Sequence, residues 1–144
     1  MKFSFIKDKS REEVIVYSKE KTELIEEIEQ LVSNNKTEFI GYSDREAIMI
    51  NPKDVHCFIA EDNKVYALTE KEKFRIRQKL YQIEAVCGEN FIKINQSCIA
   101  NIGKIKKFDA SLSGTLLVIF KNGYTDYVAR RRMREVKERL GVRL

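Results

Sequence analysis

The chain has 144 residues, 43% of them hydrophobic, with one proline and six glycines, a composition typical of a compact globular protein with a buried core. No run approaches the roughly twenty apolar residues of a membrane span, and the first residues lack the pattern of a secretory signal, so we expect a cytoplasmic protein. Three cysteines without a CxxC pair disfavour both a disulfide framework and a zinc knuckle.

The charge is distributed unevenly along the chain. Residues 91–144 carry twelve lysines and arginines against four acids, a net +8, whereas the first ninety carry fifteen against eighteen, a net −3. Clustered cations among strand-forming residues favour a polyanionic partner, because neutralising phosphates releases condensed counterions. A solvated surface is the alternative interpretation of the same charges.

Residues 1–44 predict an amino-terminal extension of mixed strand and helix. Residues 1–6 alternate in part and residues 14–17 form a β-branched run, so both segments favour strands. Residues 19–34 place apolar side chains at helical spacing and predict an amphipathic helix. Ser18 or Thr22 is placed to cap the start of this helix.

Residues 45–144 predict a second domain that is mainly β. A helix over 76–87 ends at Gly88, and a closing helix over 130–140 ends at Gly141. Asn122 and Gly123 predict a two-residue hairpin loop, because this pair tolerates positive φ. Short strands are predicted from residue 39 onward, with 39–42 still in the extension and the others in this domain: 47–50, 55–60, 65–69, 91–95, 97–102, 115–121 and 124–128.

Two strings in the basic part of the chain, FIKINQSCIANIGKI and NGYTDYVARRRMREVKERLG, resemble the carboxyl-terminal signature of the LytTR family of DNA-binding domains. The shared order is a strand, a short polar loop, a serine, an apolar-Asn-apolar segment, Asn-Gly, and an arginine that opens the last helix. The resemblance implies several small antiparallel sheets whose loops enter successive major grooves of duplex DNA, with bending of the DNA.

The resemblance also implies which residues touch DNA. The base-reading loop falls at Asn95 and Gln96, the helix-opening arginine at Arg130, and an earlier turn contact at Asn63 and Lys64. An arginine fork suits guanine O6 and N7, and a Gln or Asn amide suits adenine N6 and N7. The expected phosphate contacts, which fix position without reading sequence, are Lys93, Ser97, Lys104, Arg131 and Arg132.

This chain departs from the family pattern in two places. The neutral pair Asn95-Gln96 stands where a His or Ser followed by a cation is usual, which shifts the expected base preference toward adenine. Ala129 stands where a serine often caps the last helix, and losing such a cap costs about 1 kcal/mol. Asp126 is the group expected to substitute as the cap.

The layout of the whole chain resembles a compact branch of the family in which the extension replaces a phosphoacceptor receiver domain. Two protein partners are implied by this resemblance. One is a small membrane protein that restrains the regulator, and the other is a second copy of the chain, as a homodimer on repeated half-sites.

The residues offer little for catalysis. His56 is the only histidine, no second histidine or cysteine pair completes a metal site, and no base accompanies a Ser or Cys nucleophile. We therefore expect no enzyme, cofactor, metal or small-molecule substrate. The sequence predicts a transcription regulator that binds specific double-stranded DNA.

Two other functions stay open. The basic face could dock an acidic or membrane partner, which would make the chain a protein-interaction module. Aromatic residues among the cations could instead stack on bases of single-stranded nucleic acid or RNA, as on other β platforms. These aromatic residues are Phe91, Phe108, Phe120, Tyr124 and Tyr127.

Overall fold

The computed structural model of the protein describes residues 2–10, 13–33 and 38–144. The chain divides into two compact units, residues 1–36 and 37–144. The boundary predicted after residue 44 falls in the turn that follows the first strand. That strand belongs with the second unit, because it pairs with two other strands of the same sheet.

In its described residues, the first unit contains one helix, α1 (Glu23–Ser33). The amide of Ile25 donates to the hydroxyl of Thr22 at 3.4 Å, which places Thr22 at the predicted capping position. Strands were predicted at residues 1–6 and 14–17. Of these, residues 2–6 and 14–17 are described and lie outside any helix or strand, so both predictions are wrong there. Met1 and Asn34 fall outside the described residues. An apolar pattern favours a strand, but a strand forms only where a second one accepts its backbone hydrogen bonds.

The second unit is built mainly from strands. Within residues 38–144 it contains ten strands, two α-helices and two short 3-10 helices, so the predicted mainly β fold with a carboxyl-terminal helix is confirmed. In chain order the strands and α-helices are β1 (Phe39–Ser43), β2 (Glu46–Ile50), β3 (Cys57–Glu61), β4 (Lys64–Leu68), β5 (Lys73–Ile76), α2 (Leu80–Val86), β6 (Phe91–Asn95), β7 (Cys98–Asn101), β8 (Ile105–Asp109), β9 (Leu116–Phe120), β10 (Thr125–Val128) and α3 (Arg130–Leu140).

The strands form two antiparallel sheets, one of seven strands in the order β2-β1-β5-β4-β3-β7-β6 and one of three in the order β10-β9-β8. On one face of the larger sheet, α2 covers a core in which the ring of Phe58 lies 5.0 Å from that of Phe39 and 5.6 Å from that of Phe91. On the other face, the smaller sheet and Val136 of α3 pack against β6 and β7. The two cores hold both sheets and α3 in one unit.

Three predictions for this unit are wrong. Strands β5 and β8 were not predicted, and the helix expected over 76–87 begins only at Leu80. The loop at Asn122, predicted to have two residues, has three, 121–123. The amide of Phe120 donates to the carbonyl of Tyr124, so these two residues close the loop, and Gly123 supplies the positive φ (+91°) within it. The hairpin with two left-handed turn residues lies instead between β3 and β4, at Asp62 (φ +51°) and Asn63 (φ +63°).

His56, just before β3, is 3% exposed, and its Nδ1 has no hydrogen-bond partner among the described residues. Burial lowers the pKa of His56, the positive charge of Lys104 lowers it further, and Glu70 opposes both effects. The unfolded chain therefore binds a proton at His56 more readily than the folded chain does. Stability from this residue is present above the usual histidine pKa and is lost as the pH falls below it.

We expect the free energy of unfolding to decrease between pH 7.5 and pH 5.5, by at most about 1.4 kcal/mol per pH unit from His56. Urea denaturation at successive pH values measures this slope. The variant His56→Gln, which has no titratable group there, should show a shallower slope. Parallel profiles for the variant and the wild type would contradict the assignment to His56.

Candidate nucleic-acid interface

Several connections of the second unit meet at one edge of the seven-stranded sheet. Strands β3, β5 and β6 run toward this edge, because Ile59 pairs with Cys98 and Val65 pairs with Ile76. The amide of Ala129, just before α3, donates to the carbonyl of Ile94 at 2.8 Å, so α3 begins at this edge as well. We call this surface the loop edge and define it by residues 62–64, 77–79, 96–97 and 129–131.

The β3–β4 turn presents Asn63 and Lys64 at the loop edge. Asp62 and Asn63 both have positive φ, a conformation that Asn and Asp adopt more readily than most residues. Asn63 and Lys64 are exposed, as is Asp62. The neighbouring Glu61 forms an ion pair with Lys73 at 2.9 Å, which offsets its negative charge close to this turn.

The β6–β7 turn exposes Gln96 and Ser97 but not Asn95. Asn95 is 2% exposed, and its side-chain amide is bonded within the protein at both ends. Its Nδ2 donates to the Tyr127 carbonyl at 2.8 Å and to Asp126 Oδ1 at 3.0 Å. A base contact from Asn95 would require breaking these bonds, so this geometry disfavours the predicted role.

The start of α3 exposes Arg130 and Arg131. Neither side chain makes a hydrogen bond or ion pair with another described residue. The guanidinium of Arg130 lies beside Gly114, and its Nη2 would be 3.9 Å from a Cβ atom added to that glycine.

The prediction that Asp126 caps α3 is wrong. Its carboxylate accepts instead from Asn95, from the Tyr127 amide and from the Tyr124 hydroxyl, and no side chain caps the helix.

Of the predicted phosphate contacts, one lies at the end of the sheet opposite the loop edge and two line a groove between helices. Lys104 follows β7 at the opposite end of the sheet, where its carbonyl accepts from the amide of Lys121 at 2.9 Å. Lys93 and Arg132 line a groove between α2 and α3. Nη1 of Arg132 lies 3.9 Å from Oε2 of Glu135, one turn along α3. The structure therefore argues against Lys104 as a contact on this surface, and it leaves Ser97 and Arg131 at the loop edge.

Two further cations at the loop edge, Arg77 and Lys79, lie in the connection between β5 and α2 and were not predicted from the sequence. Both are exposed, and the guanidinium of Arg77 lies 4.4 Å from the centre of the Tyr42 ring, which steadies it. The signal was present as alternating cations at positions 75, 77 and 79, within the part of the chain that is otherwise net acidic. Assigning this segment to a helix concealed the alternation.

The five aromatic residues among the carboxyl-terminal cations do not form a stacking platform. Phe91 and Phe120 are buried, Phe108 and Tyr124 are half-buried, and Tyr127 is 52% exposed. Stacking of successive bases needs several exposed rings on one surface. The structure therefore disfavours the single-strand interpretation.

The His, Cys, Asp and Glu side chains of the described residues do not cluster as metal ligands would. Among them, no group of three His, Cys, Asp or Glu side chains is placed to hold a metal ion. Burial raises the pKa of the Cys87 thiol to about 11, so that the thiol is protonated at neutral pH. No helix in the described ranges is long and apolar enough to cross a bilayer.

The fold and the site together define a β domain that presents polar and cationic loops along one edge of a sheet. Residues 45–141 match the model of the family described as the LytTr DNA-binding domain. The chain belongs to the LytTR family of DNA-binding domains, as its sequence signature predicted, and it is a DNA-binding protein.

Related proteins agree with this assignment. The chain is 33% identical over 103 residues to an uncharacterised HTH-type transcriptional regulator of Staphylococcus aureus strain NCTC 8325, over 72% of this chain and 70% of that protein. A regulator with the same kind of name from the bovine strain RF122 is 32% identical over the same shares. In residues 38–144, α2 and α3 are separated by five strands, so these two helices do not form a helix-turn-helix.

A solved structure shares the fold. The LytTr DNA-binding domain of a Bacillus cereus protein superposes with a TM-score of 0.70 at 22% identity, over 75% of this chain and all of that one. At this identity the likeness shows a common architecture. The matched architecture is the one that brings the loops to a single edge.

Proposed function

We propose that this protein is a bacterial transcription regulator that recognises specific double-stranded DNA through the loop edge. The observation that carries the proposal is the convergence of exposed Asn63, Gln96 and Arg130, which are distant in sequence, on one edge of the sheet. The names of the staphylococcal relatives support the regulatory role. The protein acts in the cytoplasm by binding alone, without catalysis.

Gln96 and Arg130 are the proposed base-reading residues. Gln96 lies in the two-residue turn between β6 and β7. Arg130 lies at the start of α3, and its exposed guanidinium makes no hydrogen bond or ion pair with the described residues. The amide of Gln96 matches N6 and N7 of adenine, and the fork of Arg130 matches O6 and N7 of guanine. Asn63 and Lys64, on the neighbouring turn, are proposed to contact an adjacent stretch of the duplex.

Arg131, Ser97, Arg77 and Lys79 are the proposed phosphate contacts. The start of α3 supports this role, because it lacks a side-chain cap and places cations beside the positive end of the helix dipole. Both features are unfavourable in the free protein. A phosphate at this position would accept from the free amides and neutralise the cations, so DNA binding removes both costs.

We also propose that two copies bind repeated half-sites. From β6 to β5 the loop edge spans four interstrand spacings, or about 19 Å at about 4.8 Å each. At about 3.4 Å per base pair, this covers about six base pairs. A site of that length recurs by chance about once in 4,000 base pairs, too often to single out a promoter, and a second half-site supplies the missing specificity. The membrane-protein partner stays a prediction that rests on the resemblance alone.

Competition binding tests the proposal against the protein-interaction alternative. Genomic fragments selected by the protein should remain bound at low salt in a hundredfold excess of nonspecific duplex, and titration of one-half-site and two-half-site duplexes gives the stoichiometry. A protein-docking module would retain no fragment preferentially. That result would overturn the proposed function.

Replacing Arg131 by alanine should reduce the steepness of the salt dependence of binding by about one counterion, because each neutralised phosphate contributes about 0.9 to the slope of log K against log salt. Lys104→Ala is the matched control, since it removes the same charge at the opposite end of the sheet and should leave the slope unchanged. Binding isotherms at several salt concentrations measure both slopes. Equal reductions in the two variants would show that overall charge, and not the loop edge, governs binding.

A further inference from the structure

The side chain of Asn95 joins the two sheets at the point where they carry the proposed reading residues. Its Oδ1 accepts from the amide of Ser97 at 2.8 Å, which braces the β6–β7 turn. Its Nδ2 donates to the carbonyl of Tyr127 at 2.8 Å and to Oδ1 of Asp126 at 3.0 Å, which are on β10 of the other sheet. The buried side chain of Asn95 therefore bonds Ser97, which follows Gln96, and also Asp126 and Tyr127, which precede Arg130.

The carboxylate that meets Asn95 is itself held in place. Besides the bond from Asn95, Asp126 accepts from the amide of Tyr127 at 2.8 Å and from the hydroxyl of Tyr124 at 3.1 Å. Burial, and then the charge of Asp126, raise the pKa of Tyr124, so its hydroxyl keeps its proton and remains a donor. This network is partly buried, with Asn95 at its buried end, and pairing of its donors and acceptors favours a single geometry.

We infer that Asn95 is a positioning residue that fixes the separation of Gln96 from Arg130, and that it does so without touching DNA. The inference rests on the proposed function. Gln96 belongs to the larger sheet, and Arg130 follows a strand of the smaller one, so no shared strand register sets their spacing. Their spacing is set by the bonds between the two sheets, namely those of Asn95 and the backbone bond from Ala129 to Ile94. Side chains that read bases must be held to within a fraction of an ångström, which loops achieve only through supporting bonds of this type.

The chemistry of the network distinguishes asparagine from aspartate at this position. The variant Asn95→Asp keeps the size of the side chain and the bond from Ser97 but cannot donate to Tyr127. It also places a second carboxylate at the present 3.0 Å contact with Asp126, where like charges repel. The double variant Asn95→Asp with Asp126→Asn restores one donor and one acceptor across this contact.

The test compares these variants on duplexes in which single bases of the selected site are changed, at a temperature where circular dichroism shows each protein folded. Asn95→Asp should lower affinity for the selected site by about tenfold. It should also relax base preference at the positions read by Gln96 and by Arg130 together. The double variant should recover part of the affinity, about threefold. Gln96→Ala is the control and should relax one position only.

A purely structural role for Asn95 would lower the melting temperature but leave base preference at both positions intact in the folded protein, and that result would overturn the inference. If Asn95→Asp does not fold, Asn95→Ser retains a small polar group and is measured in the same way. Failure of the proposed function would look different, because wild-type protein would then show no base preference at all.

Discussion

Replacing Arg130 by alanine is expected to weaken binding to the cognate duplex by about 1–3 kcal/mol, or about five- to 150-fold. The physical reason is the loss of a guanidinium that is exposed at the loop edge and makes no hydrogen bond or ion pair with the described residues. Base preference should relax at one position of the site, where guanine is expected. Fluorescence anisotropy with the cognate duplex and its single-base variants measures both effects.

The variant Arg130→Lys separates charge from geometry at this position. Lysine keeps the positive charge but lacks the planar fork that binds O6 and N7 of guanine together. It should therefore retain the salt dependence of the wild type while losing much of the preference at the same base. Unchanged affinity and preference in Arg130→Ala would remove this residue from the interface.

Replacing Phe58 by alanine is expected to lower the free energy of unfolding by about 3–5 kcal/mol. Phe58 is 0% exposed and contacts the rings of Phe39 and Phe91 in the core beneath α2, so truncation leaves a cavity and removes two aromatic contacts. Urea denaturation followed by circular dichroism measures the loss.

Phe58 also provides a control for stability in the binding experiments, since its side chain lies in the core. The milder variant Phe58→Leu should lose less stability and bind the cognate duplex with wild-type affinity when folded. A loss below about 1 kcal/mol for Phe58→Ala would contradict the packing described for this core. Together with Arg130→Ala, these variants separate folding from recognition.

The sequence predicted most strands of the second unit but missed two for physical reasons. In β8 the register shifts between Ile105 and Lys107, so apolar Ile105 and Phe108 are three residues apart and the two-residue alternation is lost. In β5 only Phe74 and Ile76 mark the buried face, which is too short a pattern to outweigh a helical spacing. The helical spacing of Ile76, Leu80 and Ile83 is real, but the helix uses only the last two.

The site was predictable in part. Gln96, Arg130, Asn63 and Lys64 could be placed by their likeness to the family, and all four are exposed at one edge. Lys104 could not be placed, because only the pairing of β7 with β3 shows that it emerges at the opposite end of the sheet. Long-range register of this kind leaves no local mark in the sequence.

Asn95 shows a second limit. Its type and its place beside a turn suggested an exposed residue, whereas the register shift between Lys93 and Asn95 accompanies an inward side chain that bonds β10. A residue thirty-one positions from its partner Asp126 gives no periodic signal of that contact. The bonds from Asn95 to β10 could be recognised only from the packed structure.

A base-by-base scan of the selected site tests the central claim most directly. Wild-type protein, Gln96→Ala and Arg130→Ala would be measured against duplexes that carry each single-base change in turn. We expect each variant to lose discrimination at its own position and to keep it elsewhere, at positions separated by a few base pairs. Retention of the complete wild-type preference by both variants would contradict recognition through the loop edge.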